Sequence, residues 1–159
     1  MDASANPDFE KIKQALLAKS LRLLARREYA ERELRRKLEA GGAEAEAVEA
    51  VIAHLIENNW LSDFRYAEIL VRHRAGQGYG PVRISAELKQ QGVEADMIRG
   101  AFSESGVDWF ERAAAVLRKR FREKPESPSE LQKQKRYLLQ RGFNFDEINE
   151  AVKYEADEF

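Results

Sequence analysis

The chain contains no cysteine. Disulfides, thiolate zinc sites, iron–sulfur clusters and a cysteine nucleophile are therefore excluded, and a reducing compartment is compatible with the sequence. Proline and glycine are sparse, 4 and 9 among 159 residues, and they fall in clusters. That distribution favours long helices over turn-rich sheets. Charge of one sign is also lacking, with 27 basic against 28 acidic residues. Any nucleic-acid contact must then come from local patches, which weighs against tight, direct DNA binding as the main activity. No apolar run approaches the length of a membrane-spanning helix. The start of the chain, from Met1 to Pro7, is polar and lacks the apolar core of a signal peptide. The expectation is a soluble, cytoplasmic protein with no membrane attachment.

Enzyme signals are equally thin. There are two histidines, His54 and His73, without a paired histidine or cysteine at metal-ligand spacing. His54 lies among Val51, Ile52 and Leu55 and reads as a helix-edge residue. Carboxylates such as Glu28, Glu31 and Glu33 are scattered at helix-solvating spacings, and none forms a marked acid–base pair. No catalytic residue, cofactor or metal is expected.

What is present is a repeat. Leu38, Leu88 and Leu138 stand 50 residues apart, and Gly42, Gly92 and Gly142 follow four positions later. Val48, Ile98 and Ile148 fall in the same register, as do Val51, Ala101 and Ala151. Upstream, Leu17, Ala67 and Leu117 align, then Leu21, Val71 and Phe121, then Arg22, Arg72 and Arg122. The column Leu34, Ile84, Gln134 loses its apolar residue in the last unit. Apolar residues recur at spacings of three and four, the helical period rather than strand alternation. Each unit reads as three helices, with the aligned glycine where the second must end in a left-handed cap.

Start signals agree. Asn6-Pro7, Ser62-Asp63, Gly80-Pro81, Ser127-Pro128-Ser129-Glu130 and Asn144-Phe145-Asp146-Glu147 can each open a helix, the last two with capping-box spacing. The predicted fold is all-α: three tandem three-helix repeats, helix-turn-helix-like units in an elongated, curved array. The predicted boundaries are a tail and helix start over 1–12, then repeats over 13–59, 60–106 and 107–159. So small a unit buries little surface alone, so stacked neighbours must share core.

Basic clusters are the remaining features. Arg35, Arg36 and Lys37 lie on the second helix of unit one, and Arg118, Lys119, Arg120 and Arg122 close the first helix of unit three. Lys133, Lys135, Arg136 and Arg141 follow on the next helix. Lys119 with Arg122, and Lys133 with Arg136, share a face at a spacing of three. Two readings stand: a solvated helix surface, or an anion-facing stripe for DNA phosphates or acidic protein. Gly76-Gln77-Gly78-Tyr79-Gly80-Pro81 lacks the strand or Gly-Lys-Ser/Thr of a phosphate loop. It is an interhelix turn, which can also present Tyr79 to a partner. Trp60, Phe64, Tyr66, Trp109 and Phe110 surround unit boundaries, as packing residues rather than base-stacking platforms.

Three segments together resemble the RecX family of RecA regulators: Leu24 to Leu38, Trp60 to Ala67, and Gly78 to Val93, where turn and helix match continuously. The likeness extends over nearly the whole chain beyond the first dozen residues and is weakest after Lys124. It implies a cytoplasmic bacterial protein of DNA repair, recombination and the SOS response. Such a regulator docks in the groove of the RecA filament on single-stranded DNA and inhibits ATP hydrolysis, strand exchange and filament extension. A monomer is expected, with modest affinity for single- or double-stranded DNA. The family supplies no catalytic residues. Candidate contacts to RecA or DNA are Arg35, Arg36, Lys37, Arg72, Arg74, Tyr79, Arg83, Lys89, Arg118, Lys119, Arg122, Lys133 and Arg136. The competing reading is a direct DNA-binding module of tandem helix-turn-helix-like units, whose binding would fall steeply with salt.

Overall fold

In a computed structural model, residues 7–153 are described, and among them every regular element is a helix. The first unit holds α1 (Pro7–Leu24), α2 (Glu31–Ala40) and α3 (Ala45–Glu57). The second holds α4 (Asp63–Gly76), α5 (Pro81–Gln90) and α6 (Ala95–Ser105). The third holds α7 (Trp109–Arg120), α8 (Pro128–Arg141) and α9 (Phe145–Ala151). In each unit the first and third helices pack most closely.

Local chemistry sets the helix ends. Ser62, Asp108, Ser127 and Asn144 each accept a hydrogen bond from the backbone N–H three residues on. At α9 the box is reciprocal: Glu147 returns a carboxylate to the Asn144 N–H at 2.9 Å. At α8 it is not, because the Glu130 carboxylate reaches past the cap to the Glu126 N–H at 2.6 Å. The expected cap at Asn6 lies outside the described residues. Gly42, Gly92 and Gly142 take φ of +84°, +80° and +98°, the left-handed turn that ends each second helix.

Three apolar cores result, and the repeat columns fill them. Leu38, Leu88 and Leu138 are each fully buried, and Val48, Ile98 and Ile148 nearly so. Two positions depart from the periodicity. Leu21 is exposed, and Ser20 is buried in its place, its hydroxyl donating to the Leu16 carbonyl at 2.8 Å. That back-bond satisfies the hydroxyl and lets α1 sit with a different face inward. Gln134, in the column of Leu34 and Ile84, is buried as they are, and its amide donates to the Glu123 carbonyl at 3.2 Å. The polar residue therefore ties down the α7–α8 loop. Among the boundary aromatics, Trp109 packs against the second and third cores, whereas Trp60 and Phe110 are about half exposed.

Units join end to end through the second helices. At the first junction, Asp63 of α4 accepts from the Glu31 N–H at 2.7 Å, capping α2 from the next unit. Arg65 bridges the Glu28 carboxylate at 2.5 Å and the Asn59 and Trp60 carbonyls. Asp63→Ala should leave the Glu31 N–H without its acceptor and cost about 1–2 kcal/mol in urea unfolding. Burial raises the Asp63 carboxyl above its ordinary value of 3.8. Its contribution to stability is thus greatest below that value and falls as pH rises through the raised one. Asp63→Asn keeps an acceptor and cannot ionise. Its stability relative to the unsubstituted chain should therefore improve from pH 4 to pH 7, and a flat difference would count against the raised value.

Candidate interaction surface

The second junction is built from backbone. α8 ends where α5 begins, and the Gly80 and Val82 N–H groups donate to the Arg141 and Gly142 carbonyls at 2.8 and 2.9 Å. Unpaired donors of one helix start meet unpaired acceptors of another helix end, and the two dipoles align. Such proximity requires glycine. A Cβ on Gly80 would lie 2.4 Å from Gly142 backbone, and one on Gly142 would lie 2.4 Å from the Arg83 Cβ.

Arginines complete this junction. Arg141 donates to the Gly78 carbonyl at 3.1 Å and the Gln77 carbonyl at 2.5 Å, and Arg112 donates to the Ala75 carbonyl at 3.0 Å. All three carbonyls belong to the end of α4 and the turn after it. Cations there complement the negative end of the helix dipole. The Tyr79 ring lies against two guanidiniums, Arg83 at 4.1 Å and Arg141 at 4.0 Å. Tyr79 is therefore half-buried within the chain's own junction, and its ring contacts are intramolecular.

Beside this junction lies a cleft of about 470 Å³. Its walls include the Gly76–Gly78 turn, Arg112, Lys119, Arg120, Tyr137 and Arg141. A second cleft of about 410 Å³ shares Arg120 and adds Arg122 and Lys133, together with Glu123, Glu126 and Glu130.

The other candidates are dispersed. Arg35 pairs with Glu31 at 2.9 Å and Glu49 at 2.5 Å, which raises its pKa, chiefly through the Glu49 hydrogen bond. Arg74 pairs with Glu87 at 2.8 Å, which likewise raises its pKa. Arg36, Lys37, Arg72, Lys89 and Arg136 are exposed. The Lys37 ammonium lies 5.6 Å from the centre of the Tyr29 ring. Arg118 donates to the Ala114 carbonyl at 3.2 Å. Arg122 does not share a helix face with Lys119: α7 stops at Arg120, and Phe121 is extended at φ −121° and ψ 111°. Lys119 instead joins Arg112, Arg120 and Arg141. One feature of the sequence points to Arg141: it occupies the position before the aligned glycine, where the other units carry Gly41 and Gln91.

Family models match this architecture unit by unit. The first three-helix domain of RecX matches residues 17–55, the second 62–101 and the third 107–152. The chain belongs to the RecX family. A "Regulatory protein RecX" of Stenotrophomonas maltophilia strain R551-3 is 41% identical over 146 residues, spanning 91% of this chain and 90% of that one. One of Xanthomonas axonopodis pv. citri is 36% identical over 148 residues, with the same shares covered. The crystal structure of RecX from Lactobacillus salivarius superposes with a TM-score of 0.78 at 21% identity, covering 90% of this chain and 96% of that one. A second crystal structure, of a regulatory protein RecX, gives 0.75 at 24% identity, covering 91% and 74%. At those identities the structures establish the shared fold. Among the described residues, no helix is long and apolar enough to cross a membrane, and no acidic or histidine cluster could hold a metal. The RecX domains here are helical throughout the described residues, and Arg112, Lys119, Arg120 and Arg141 gather beside the second junction.

Proposed function

We propose that this protein regulates RecA by docking, as a cytoplasmic monomer, along the filament that RecA forms on single-stranded DNA, in the filament's helical groove. There it inhibits ATP hydrolysis, strand exchange and filament extension, without catalysis of its own. The observation that carries this reading is the match of all three RecX domains in order across residues 17–152. The architecture supports it, because tandem units joined end to end offer a surface long enough to reach more than one subunit of a filament. Exposed apolar side chains at Val82, Leu139 and Phe145, near the second junction, supply protein-binding contacts beside the cations.

The test is DNA-dependent ATP hydrolysis by RecA during titration with this protein. Inhibition at substoichiometric protein, persisting with DNA in excess, is the expected result. No inhibition, or inhibition abolished by added DNA, would favour the direct DNA-binding reading, to which the basic cleft gives specific support.

A further inference from the structure

We infer that the first junction is a hinge closed by an ionic latch at Arg65, and that the second and third units swing against the first as one rigid body. The two junctions occupy corresponding places in the repeat, yet different chemistry holds them.

The second junction is spliced by backbone. Gly80 and Val82 donate to the Arg141 and Gly142 carbonyls, and Trp109 packs against the cores on both sides. Neither contact depends on charge. At the first junction, among the described residues, no backbone-to-backbone hydrogen bond joins one unit to the next. The one side chain that unit one places in the second core is Ala30, a single methyl. So little shared apolar surface leaves the two units free to move relative to each other unless something else holds them.

Polar side chains do so. Arg65, on α4, donates to the Glu28 carboxylate in the loop between α1 and α2 at 2.5 Å. It also donates to the Asn59 and Trp60 carbonyls in the linker between units, at 3.1 and 3.2 Å. One guanidinium thus ties together three parts of the boundary. Asp63 accepts from the Glu31 N–H at 2.7 Å, and Arg32 donates to the Gln90 carbonyl at 3.3 Å. The Arg65 and Glu28 side chains are 34% and 24% exposed, so dissolved ions can reach the pair. The second oxygen of Glu28, Oε2, is buried without a hydrogen-bond partner among the described residues. Closing the latch leaves that acceptor unsatisfied, a cost that opening relieves. The contact is therefore poised to open, whereas the second junction is fixed.

Opening lets unit one swing about residues 58–62, the linker between α3 and α4, while the cleft beside the second junction keeps its shape. A chain built this way can adjust its reach along a partner surface, which a rigid rod of three units cannot do.

Because the chain has no cysteine, pairs of introduced cysteines take spin labels uniquely. Glu46→Cys with Ser103→Cys places exposed labels across the first junction, and Ser103→Cys with Asn149→Cys places them across the second. Double electron–electron resonance then reads the width of each distance distribution. A rigid-body swing of about 15° carries a label ~20 Å from the hinge through roughly 5 Å. Arg65→Gln should widen the first-junction distribution by about that much and leave the second unchanged. Arg141→Gln, which removes a guanidinium from the second junction but keeps its backbone bonds, should widen neither. Raising salt from about 0.1 M to about 1 M cuts the screening length from ~10 Å to ~3 Å. It should widen the first distribution in the unsubstituted chain and add nothing in Arg65→Gln. Circular dichroism and the thermal midpoint check folding; if Arg65→Gln does not fold, Glu28→Gln, which removes only the carboxylate charge, carries the same expectation. An unchanged first distribution in the folded latch variant would overturn the hinge, as would equal widening at both junctions. A salt response that persists undiminished in Arg65→Gln would overturn the latch.

Discussion

Gly80→Ala should destabilise the second junction by about 3 kcal/mol or more and release the third unit from the second. The added methyl would sit 2.4 Å from the carbonyl carbon and oxygen of Gly142 and 2.5 Å from the Phe143 nitrogen. Those are backbone atoms at a helix end, so no side-chain rotation can relieve the overlap. Overpacking of this kind costs about 1–3 kcal/mol, and separating the strands of backbone also breaks the two hydrogen bonds from Gly80 and Val82, about 1 kcal/mol each. Gly76→Ala is the matched control. Gly76 ends α4 with open space around it, so alanine there should be neutral or stabilise by about 0.5–1 kcal/mol. Denaturant unfolding of the two variants, followed through Trp109 at this junction, separates them. Equal stability of both would mean that α5 and α8 do not approach as closely as described.

Much of this fold is legible in the sequence, and for identifiable reasons. Periodicity reports burial on one helix face, and the 50-residue columns report the same helix recurring in the same packing role. Glycine at 42, 92 and 142 reports a positive φ, which the backbone confirms at all three. What periodicity could not convey is rotation and long-range pairing. The choice of Ser20 over Leu21 for the core depends on a hydroxyl finding the Leu16 carbonyl. Arg122 falls off the predicted face because α7 ends two residues earlier. The cleft rests on contacts that span 37 residues for Arg112 to Ala75 and 63 for Arg141 to Gly78. Those pairings arise from how units stack, a property no single helix encodes. Conversely, Arg74 looks like a free cation in the sequence because its partner Glu87 lies 13 residues away, whereas Arg35 meets both the distant Glu49 and Glu31 one turn before it.

Truncating the same leucine in each unit should give similar losses of core energy and different unfolding behaviour. Leu38, Leu88 and Leu138 are each fully buried, so alanine at any of them should remove about 3 kcal/mol, the usual range being 2–5. In a linear array, stability is the sum of unit terms and junction terms between neighbours. The central unit has two junctions and each end unit has one. Leu88→Ala therefore weakens the element through which both junctions are held, and the whole array should unfold in one transition at lower denaturant. Leu138→Ala should instead let the third unit open first, and Leu38→Ala the first unit, because each sacrifices a single junction. The two tryptophans make this measurable: Trp60 lies beside His54 near the first junction, and Trp109 packs between the second and third cores. With the other tryptophan replaced by phenylalanine, each reports its own junction. Coincident Trp60 and Trp109 transitions in all three variants would show the chain to be one cooperative body rather than an array. Separate transitions in the end-unit variants carry a functional consequence. A chain whose third unit opens alone would keep its first junction and lose its second, so Leu138→Ala should relieve inhibition of RecA ATP hydrolysis at a temperature where Trp109, and not Trp60, reports unfolding.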